Sequence, residues 1–150
     1  MAVCLRRTPS SSAAIDEWTS TTRAGMPAPE ARLHSLQGLG HLTSLFGTGF
    51  VALYFSNNPH VPASLRQVVE ASRSGAAALR LVRVSAQGAA YAGTVVDELG
   101  QAWQRYDAIE GTLYLIRPDG YVMGRWREAA STPADIDRVL TRALKDVDHE

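Results

Sequence analysis

Cysteine and lysine are scarce in this chain, with Cys4 as the single cysteine and Lys145 as the single lysine. One thiol cannot form an intramolecular disulfide or build a cysteine-based metal cluster. The formal net charge is zero and the arginines are scattered, so no basic patch indicates nucleic acid as a partner. No uncharged apolar run approaches the roughly 18 residues that a membrane span needs. Composition therefore predicts a soluble globular protein, with the cytoplasm as its default location.

The amino-terminal stretch, MAVCLRRTPSSSAAIDEW, lacks the apolar core of a secretory signal. It is rich in Arg and Ser and poor in acid, as a transit peptide is, but a disordered tail is the preferred interpretation. Residues 1 to about 40 show no sustained helical or strand period and are interpreted as tail and irregular wrap. Because 150 residues suit one domain, we predict a tail over 1–21 and a single domain over 22–150.

The elements that follow are predicted from apolar runs and their spacing. HLTSLFGTGF predicts a short helical turn ended by Gly47, since glycine tolerates the left-handed cap conformation. The continuous run FVALYFS, 50–56, is typical of a strand buried on both faces. Apolar residues at helical spacing predict a helix over about 62–74, and alternation predicts a second strand over 79–86.

Two further helices are predicted in the second half of the chain. TVVDELGQAWQRYDA, 94–108, has apolar residues three and four apart, which predicts a helix broken near Gly100. STPADIDRVLTRALKDV predicts an amphipathic helix with Thr132 as its cap, Pro133 in the first position and Asp135 three residues after the cap.

Between those helices, YDAIEGTLYLIRPDGYVMGRW predicts a hairpin of two strands, 112–117 and 121–127. Pro118 presets φ in the connecting turn, and Asp119 and Gly120 accept turn geometry. The question is whether this hairpin is a chemical site or an element that closes a sheet.

The predicted order of elements is β, α, β, α, β, β, α. Two strands joined through a helix should lie parallel with a right-handed crossover, and the hairpin should add an antiparallel edge. Helices on both faces of one mixed sheet are the layout of a thioredoxin fold. We therefore predict an α/β protein with a thioredoxin-like fold.

The redox chemistry of that fold is missing from the sequence. Thiol–disulfide exchange needs a thiolate and a resolving thiol, placed where the first core strand meets its helix. That junction here is YFSNNPHVPASL, which has no cysteine. Redox thioredoxins also carry a cis-proline before the hairpin, where this chain has Ile109, Glu110, Gly111 and Thr112. The redox motif is absent on both sides, which excludes that activity.

Other candidates for chemistry are weak. The histidines, His34, His41, His60 and His149, show no metal-binding spacing, and His60 is interpreted as an exposed turn residue. QGLGHL lacks the third glycine, the preceding strand and the acidic residue that dinucleotide binding needs. We therefore assign no catalytic, cofactor-binding or metal-binding residue.

Arg117 and Arg125 have two interpretations, because each adjoins or lies in an apolar strand. A guanidinium group suits an anion or a partner's carboxylate. The preferred alternative is a structural arginine whose head reaches water or pairs with Asp119 or Glu128. The nearby aromatic residues are interpreted as core or interface anchors; they are Trp103, Tyr106, Tyr114 and Trp126.

TSLFGTGFVALYFS and RYDAIEGTLYLIRPDGYVMGRWR together resemble the C-terminal thioredoxin-like domain of flavin-dependent aromatic hydroxylases, of the phenol hydroxylase and hydroxyphenylpropionate hydroxylase type. The resemblance covers roughly residues 22–145. The positions that carry it are Leu45, Phe46, Gly47, Gly49, Phe50, Tyr106, Gly111, Arg117, Pro118, Asp119, Gly120, Arg125 and Trp126.

The resemblance implies a structural role. The hydroxylase chemistry of that family lies in a preceding FAD domain, which is not present in this sequence, so no cofactor is expected in this chain. The family's C-terminal domain packs on the hydroxylase and contributes to its dimer. The resemblance therefore implies a homodimer or a flavoprotein hydroxylase as partner, with Gly111, Arg117, Pro118, Asp119, Gly120, Arg125 and Trp126 as the motif at a possible interface. The alternative is a divergent oxidoreductase with its own anion or small-molecule site near Arg117, or one that uses His60.

Overall fold

The computed structural model describes residues 25–35, 38–47, 49–72, 79–88, 90, 93–129 and 133–148. Within these ranges the strands form one seven-stranded mixed sheet in the order β2-β1-β5-β4-β3-β6-β7. The strands are β1 Arg32–Ser35, β2 Gly38–His41, β3 Phe50–Phe55, β4 Leu79–Ser85, β5 Thr94–Val96, β6 Thr112–Ile116 and β7 Val122–Trp126. The helices are a 3-10 turn Leu42–Leu45, α1 Ala63–Ser72, α2 Gln101–Arg105 and α3 Pro133–Asp148.

Strand β3 lies at the centre of this sheet, and all six of its residues are buried. It pairs parallel with β4 and antiparallel with β6. A strand with both faces covered needs apolar side chains on both, which is why its sequence is a continuous apolar run. The predicted β-α-β unit and its parallel pairing are confirmed.

Helices cover both faces of the sheet. On one face, α1 and α3 pack on the sheet through Leu65, Ile136 and Leu140. On the other face, α2 and the 3-10 turn pack through Tyr106, Ala102 and Leu42. The thioredoxin-like mixed fold is therefore confirmed. The predicted tail over 1–21 and the predicted cap Thr132 lie outside the described residues.

The prediction that residues up to about 40 form only tail and irregular wrap is wrong for the described part. Arg32–Ser35 and Gly38–His41 pair as an antiparallel hairpin, and His34 pairs with Val96 of β5. Glycine is a poor strand former, so Gly38 and Gly40 hide this strand from a sequence pattern. Pairing with β5 supplies what local propensity lacks.

The predicted helix over 94–108 is also wrong in its first half. Thr94–Val96 is strand β5, which pairs parallel with β4. Its two valines suit a buried strand better than a helix turn. Gly100 has φ +74° and precedes α2, which is only five residues long. The carboxylate of Asp97 accepts a hydrogen bond from the Trp103 N–H at 2.9 Å, as a helix cap does.

Candidate functional site

Redox thioredoxins carry their thiols at the carboxyl end of the first core strand. In this chain that strand is β3, and hydrogen-bonded side chains occupy its carboxyl end. Ser56 follows β3 and is 1% exposed. Its hydroxyl donates to the carboxylate of Glu110, and the Asn57 N–H donates to Glu110 Oε1 at 2.9 Å. Glu110 lies where redox thioredoxins carry the cis-proline, and its carboxylate joins this segment to the carboxyl end of β3.

A second set of hydrogen bonds links these residues to the carboxyl end of β4. Asn57 Oδ1 accepts from the Ala86 N–H at 2.8 Å and from the Ser85 hydroxyl at 3.2 Å. The buried Arg83 donates through Nη1 to the Ser56 carbonyl at 2.8 Å. Burial, and after it the negative charge of Glu110, raises the pKa of the Tyr54 hydroxyl, although a hydrogen bond with Ser56 opposes this. The polar groups at the carboxyl ends of β3 and β4 thus form a network in which they hydrogen-bond to one another.

His60 follows this edge and is exposed. Its backbone N–H donates to Asn58 Oδ1 at 2.9 Å, as in a turn. This places His60 in the connection to α1.

At the tip of the hairpin, Arg117 and Asp119 form a bidentate pair. Arg117 Nε and Nη2 donate to Asp119 Oδ1 at 3.1 Å and Oδ2 at 2.7 Å, and the guanidinium lies 5.5 Å from the centre of the Tyr121 ring. The hydrogen bond to Asp119 raises the pKa of Arg117, and the same bond lowers the pKa of Asp119. An external anion at Arg117 would have to compete with this carboxylate, which weakens the case for a ligand site there.

A three-residue loop joins the two strands of the hairpin. The Gly120 N–H donates to the Arg117 carbonyl, and the Arg117 N–H donates to the Tyr121 carbonyl, both at 2.9 Å. Gly120 has φ +88°, a conformation that costs other L-residues about 1 to 2 kcal/mol. Pro118 and Asp119 occupy the two positions before it, so the sequence RPDG matches the geometry.

Gly120→Val should lower the unfolding free energy by at least about 1 kcal/mol, because a β-branched residue is strained at positive φ. Gly120→Asn, which tolerates this conformation better, is the matched control and should lose less. Gly111 has φ +96° and should respond in the same way. Urea denaturation measures all of these variants, and a Val variant within about 0.5 kcal/mol of the parent would contradict the turn assignment.

An amino-terminal strap, residues 25–28, covers the outer edge of the hairpin tip. The Gly25 N–H donates to the Val122 carbonyl and the Val122 N–H to the Met26 carbonyl, both at 2.8 Å. The Ala28 N–H donates to the Gly120 carbonyl at 2.9 Å. The strap therefore forms hydrogen bonds with the beginning of β7, which is an edge strand of the sheet.

Trp126, near the base of the hairpin, is covered by α3. Its indole Nε1 donates to Asp135 Oδ2 at 2.6 Å, and Asp135 also pairs with Arg138. The ring lies against Gly124, where a Cβ atom would stand 2.8 Å from Trp126 Cη2. Glycine at 124 is therefore what allows the ring to lie flat on the strand.

Arg125 of β7 is the register partner of Tyr114 of β6, and it lies on the opposite face of the sheet from Trp126. On that face the Tyr114 hydroxyl donates to the Tyr106 carbonyl, and the Tyr106 hydroxyl donates to the Pro29 carbonyl, both at 2.6 Å. The two rings meet edge to face at 4.8 Å. Burial raises the pKa of Tyr106. These aromatic residues are core anchors in the structure.

Sequence reasoning missed a largely buried ion pair at the base of the hairpin. Arg127 Nη1 lies 2.9 Å from Asp107 Oδ2, and the two side chains are 14% and 16% exposed. Asp107 has φ +51°. Gly111 lies beside this pair, and its N–H donates to the Phe55 carbonyl at 2.8 Å. In the sequence Asp107 and Arg127 are two charged residues 20 positions apart, a pattern that is too common to be specific.

Strands β1 and β2 form the N-terminal hairpin. Its two histidines, His34 and His41, each lie near one carboxylate. His34 Nε2 is 3.2 Å from Glu98, and His41 Nδ1 is 4.0 Å from Glu30. Among the described residues no group of three His, Cys, Asp or Glu side chains could hold a metal ion. In the same ranges, no helix has the length and apolarity to cross a membrane.

Fold and site together define a thioredoxin-like domain in which Ser56, Asn57 and Glu110 occupy the positions that carry the redox motif in thioredoxins. No protein-family model matches the chain, and no curated protein matches its sequence. Its structural neighbours include aklavinone-11 hydroxylase in complex with FAD and aklavinone, with 26% sequence identity over 79% of this chain and a TM-score of 0.62. They also include the flavin-dependent monooxygenase PieE, with 22% identity over 83% of this chain and a TM-score of 0.62.

Redox proteins share the fold as well. A 2-Cys peroxiredoxin of Plasmodium vivax matches 86% of this chain and 100% of its own, with 17% identity and a TM-score of 0.59. The match to the two flavin enzymes falls on their C-terminal region, and this chain covers only 21% of each of them. The chain is therefore similar in extent to a whole peroxiredoxin and to a fifth of a flavin hydroxylase.

Proposed function

We propose that this chain is a non-catalytic structural domain equivalent to the C-terminal domain of FAD-dependent aromatic-ring hydroxylases, and that it acts in the cytoplasm by dimerising or by docking to a flavoprotein hydroxylase. The observation that carries the proposal is the 26% identity with aklavinone-11 hydroxylase over 79% of this chain. The other fold relatives lie at or below 22% identity among those described above.

The hydrogen-bonded network at the carboxyl end of β3 supports a non-catalytic role. A thiol enzyme keeps its nucleophile accessible beside a group that lowers the thiol pKa. Here the corresponding positions carry Ser56 and Asn57, and Glu110 already accepts hydrogen bonds from both.

Exposed apolar side chains support docking at the hairpin. Among the described residues, four large apolar side chains are exposed: Leu39, Leu99, Ile109 and Tyr121. Ile109 enters the hairpin and Tyr121 lies at its tip, beside Arg117. Aromatic residues with an arginine are enriched at interface centres.

The purified chain should bind no FAD, because the sequence has no dinucleotide-binding loop, and should not reduce insulin disulfides with dithiothreitol, because it has no thiol pair. Thioredoxin is the positive control for the insulin assay. A yellow preparation with flavin absorbance, or any insulin reduction, would overturn the non-catalytic assignment.

Association is tested by light scattering over a hundredfold concentration range, alone and with a flavoprotein hydroxylase encoded nearby. We expect a mass above that of the monomer. Tyr121→Ser should weaken association about fivefold or more, since truncation at an interface centre costs more than about 1 kcal/mol. Leu99→Ser, at a site that is more exposed (65% against 40% for Tyr121) but lies outside the hairpin, is the matched control. A constant monomer mass in every mixture would refute docking and dimerisation together.

The second candidate is a divergent oxidoreductase with an anion or small-molecule site near Arg117. It predicts that Asp119→Asn, which frees the Arg117 guanidinium, strengthens the binding of a small carboxylate at the tip. The docking proposal predicts no such binding in either form, so one titration separates the two.

A further inference from the structure

A cavity of about 140 Å³ lies on the face of the sheet away from α1 and α3. It is open to solvent on one side, and residues of β1, β2, the 3-10 turn, the amino end of β4 and β5 line it. Its apolar wall is formed by Leu33, Leu45 and Val95, and its polar wall includes His41, Ser44 and Arg80. Cavities of about 150 Å³ hold a molecule of the size of benzene. The space therefore suits one ring or a short branched chain.

Arg80 is the charged group of this cavity. Its Nη2 donates to the Leu45 carbonyl at 2.8 Å, which holds the guanidinium against the 3-10 turn. In the described part of the chain this is the hydrogen bond that Arg80 makes, so most of its N–H donors remain available. Arg117 differs, because its fork is already filled by Asp119.

The neighbouring acid limits the charge of any ligand. Glu30 lies 4.0 Å from His41, and its carboxylate accepts hydrogen bonds from the Thr43 N–H, the Thr43 hydroxyl and the Ala31 N–H. Its negative charge is turned towards these donors, and it does not line the cavity. One available cation beside one occupied carboxylate favours a monoanion over a doubly charged phosphate.

We propose that this cavity binds a small organic monoanion, in which a carboxylate pairs with Arg80 and a compact apolar body packs against Leu33, Leu45 and Val95. A guanidinium matches a carboxylate in bidentate geometry. The apolar wall gives affinity to a ring or branched chain that a bare inorganic anion lacks.

Benzoate is the probe, titrated into the ¹⁵N-labelled full chain and followed by NMR. We expect saturable shifts at millimolar concentration that centre on Gly40, His41, Leu45 and Arg80. Benzyl alcohol, which has the ring without the charge, should bind at least about tenfold more weakly, since it lacks the charge-assisted hydrogen bond to Arg80. Inorganic phosphate should bind at least tenfold more weakly as well.

Two variants separate charge from shape. Arg80→Gln should weaken benzoate about tenfold, whereas Arg66→Gln, at an exposed arginine on α1, should leave binding unchanged. Gly40→Leu keeps Arg80 and tests the cavity, because a Cβ at Gly40 meets nothing within 4 Å and a side chain there can occupy the space. It should abolish binding while the melting temperature stays near that of the parent. Equal binding of benzoate by the parent, Arg80→Gln and Gly40→Leu, or no saturable shift in the parent, would overturn the proposal.

Discussion

Arg127→Met is expected to lower the unfolding free energy by about 1 to 3 kcal/mol, because it removes the guanidinium that pairs with the largely buried carboxylate of Asp107. The carboxylate lies 2.9 Å from the guanidinium, and both side chains are more than four-fifths buried. Asp107 is also held at φ +51°, so the loop cannot easily turn the carboxylate out to water without giving up its conformation. Urea denaturation of the parent and variant measures the loss.

The matched control is an exposed Arg–Asp pair, Arg117 with Asp119. Its geometry is as good, but its side chains are 48% and 54% exposed. An exposed pair contributes about 0 to 1 kcal/mol, so Arg117→Met should have a small effect. The double variant Asp107→Asn with Arg127→Met should regain part of the stability, because both charges of the pair are removed together and asparagine tolerates positive φ. Equal losses from Arg117→Met and Arg127→Met would contradict the assignment.

Gly124→Val is expected to destabilise the protein by about 1 to 3 kcal/mol, the usual cost of overpacking. Strand propensity alone predicts the opposite sign, since valine favours strands and glycine weakens them. The steric conflict decides, because the new Cβ would lie 2.8 Å from Trp126 Cη2. The ring cannot move away cheaply, since its Nε1 is bound to Asp135 at 2.6 Å.

A double-mutant cycle with Trp126→Leu isolates this conflict. Trp126→Leu alone should destabilise the protein by removing the contact with α3. In that background Gly124→Val should become neutral or stabilising, and the coupling should exceed about 1 kcal/mol. Destabilisation of the same size in both backgrounds would show that the ring is not the cause. Near-ultraviolet circular dichroism reports whether Trp126 keeps its environment.

The elements that could be predicted from the sequence are those whose local signal agrees with their tertiary position. Strand β3 is a continuous apolar run because both of its faces are covered. The β6–β7 hairpin follows from RPDG, whose residues fit the turn. Amphipathic spacing in α3 reflects one face, with Ile136 and Leu140, packed on the sheet.

The elements that could not be predicted depend on partners distant in sequence. Strand β5 has three residues, and its valines continue into a helical spacing, so only pairing with β4 shows it to be a strand. The N-terminal hairpin contains two glycines and is specified by β5 rather than by its own propensity. Glu110 and Asp107 look like ordinary surface acids until the fold brings Ser56 and Arg127 beside them.

The strap over the hairpin tip has a consequence for the order of folding. Its hydrogen bonds join Gly25 and Met26 to Val122, which lies nearly a hundred residues further along the chain. The hairpin closes a loop of a few residues, whereas the strap closes a loop of nearly a hundred, and the entropic cost of closure grows with loop length. Contacts of such high contact order form slowly and add little local cooperativity. The strap is therefore the element we expect to dock last and to open first, so the amino-terminal segment can detach from β7 while the rest of the sheet stays folded.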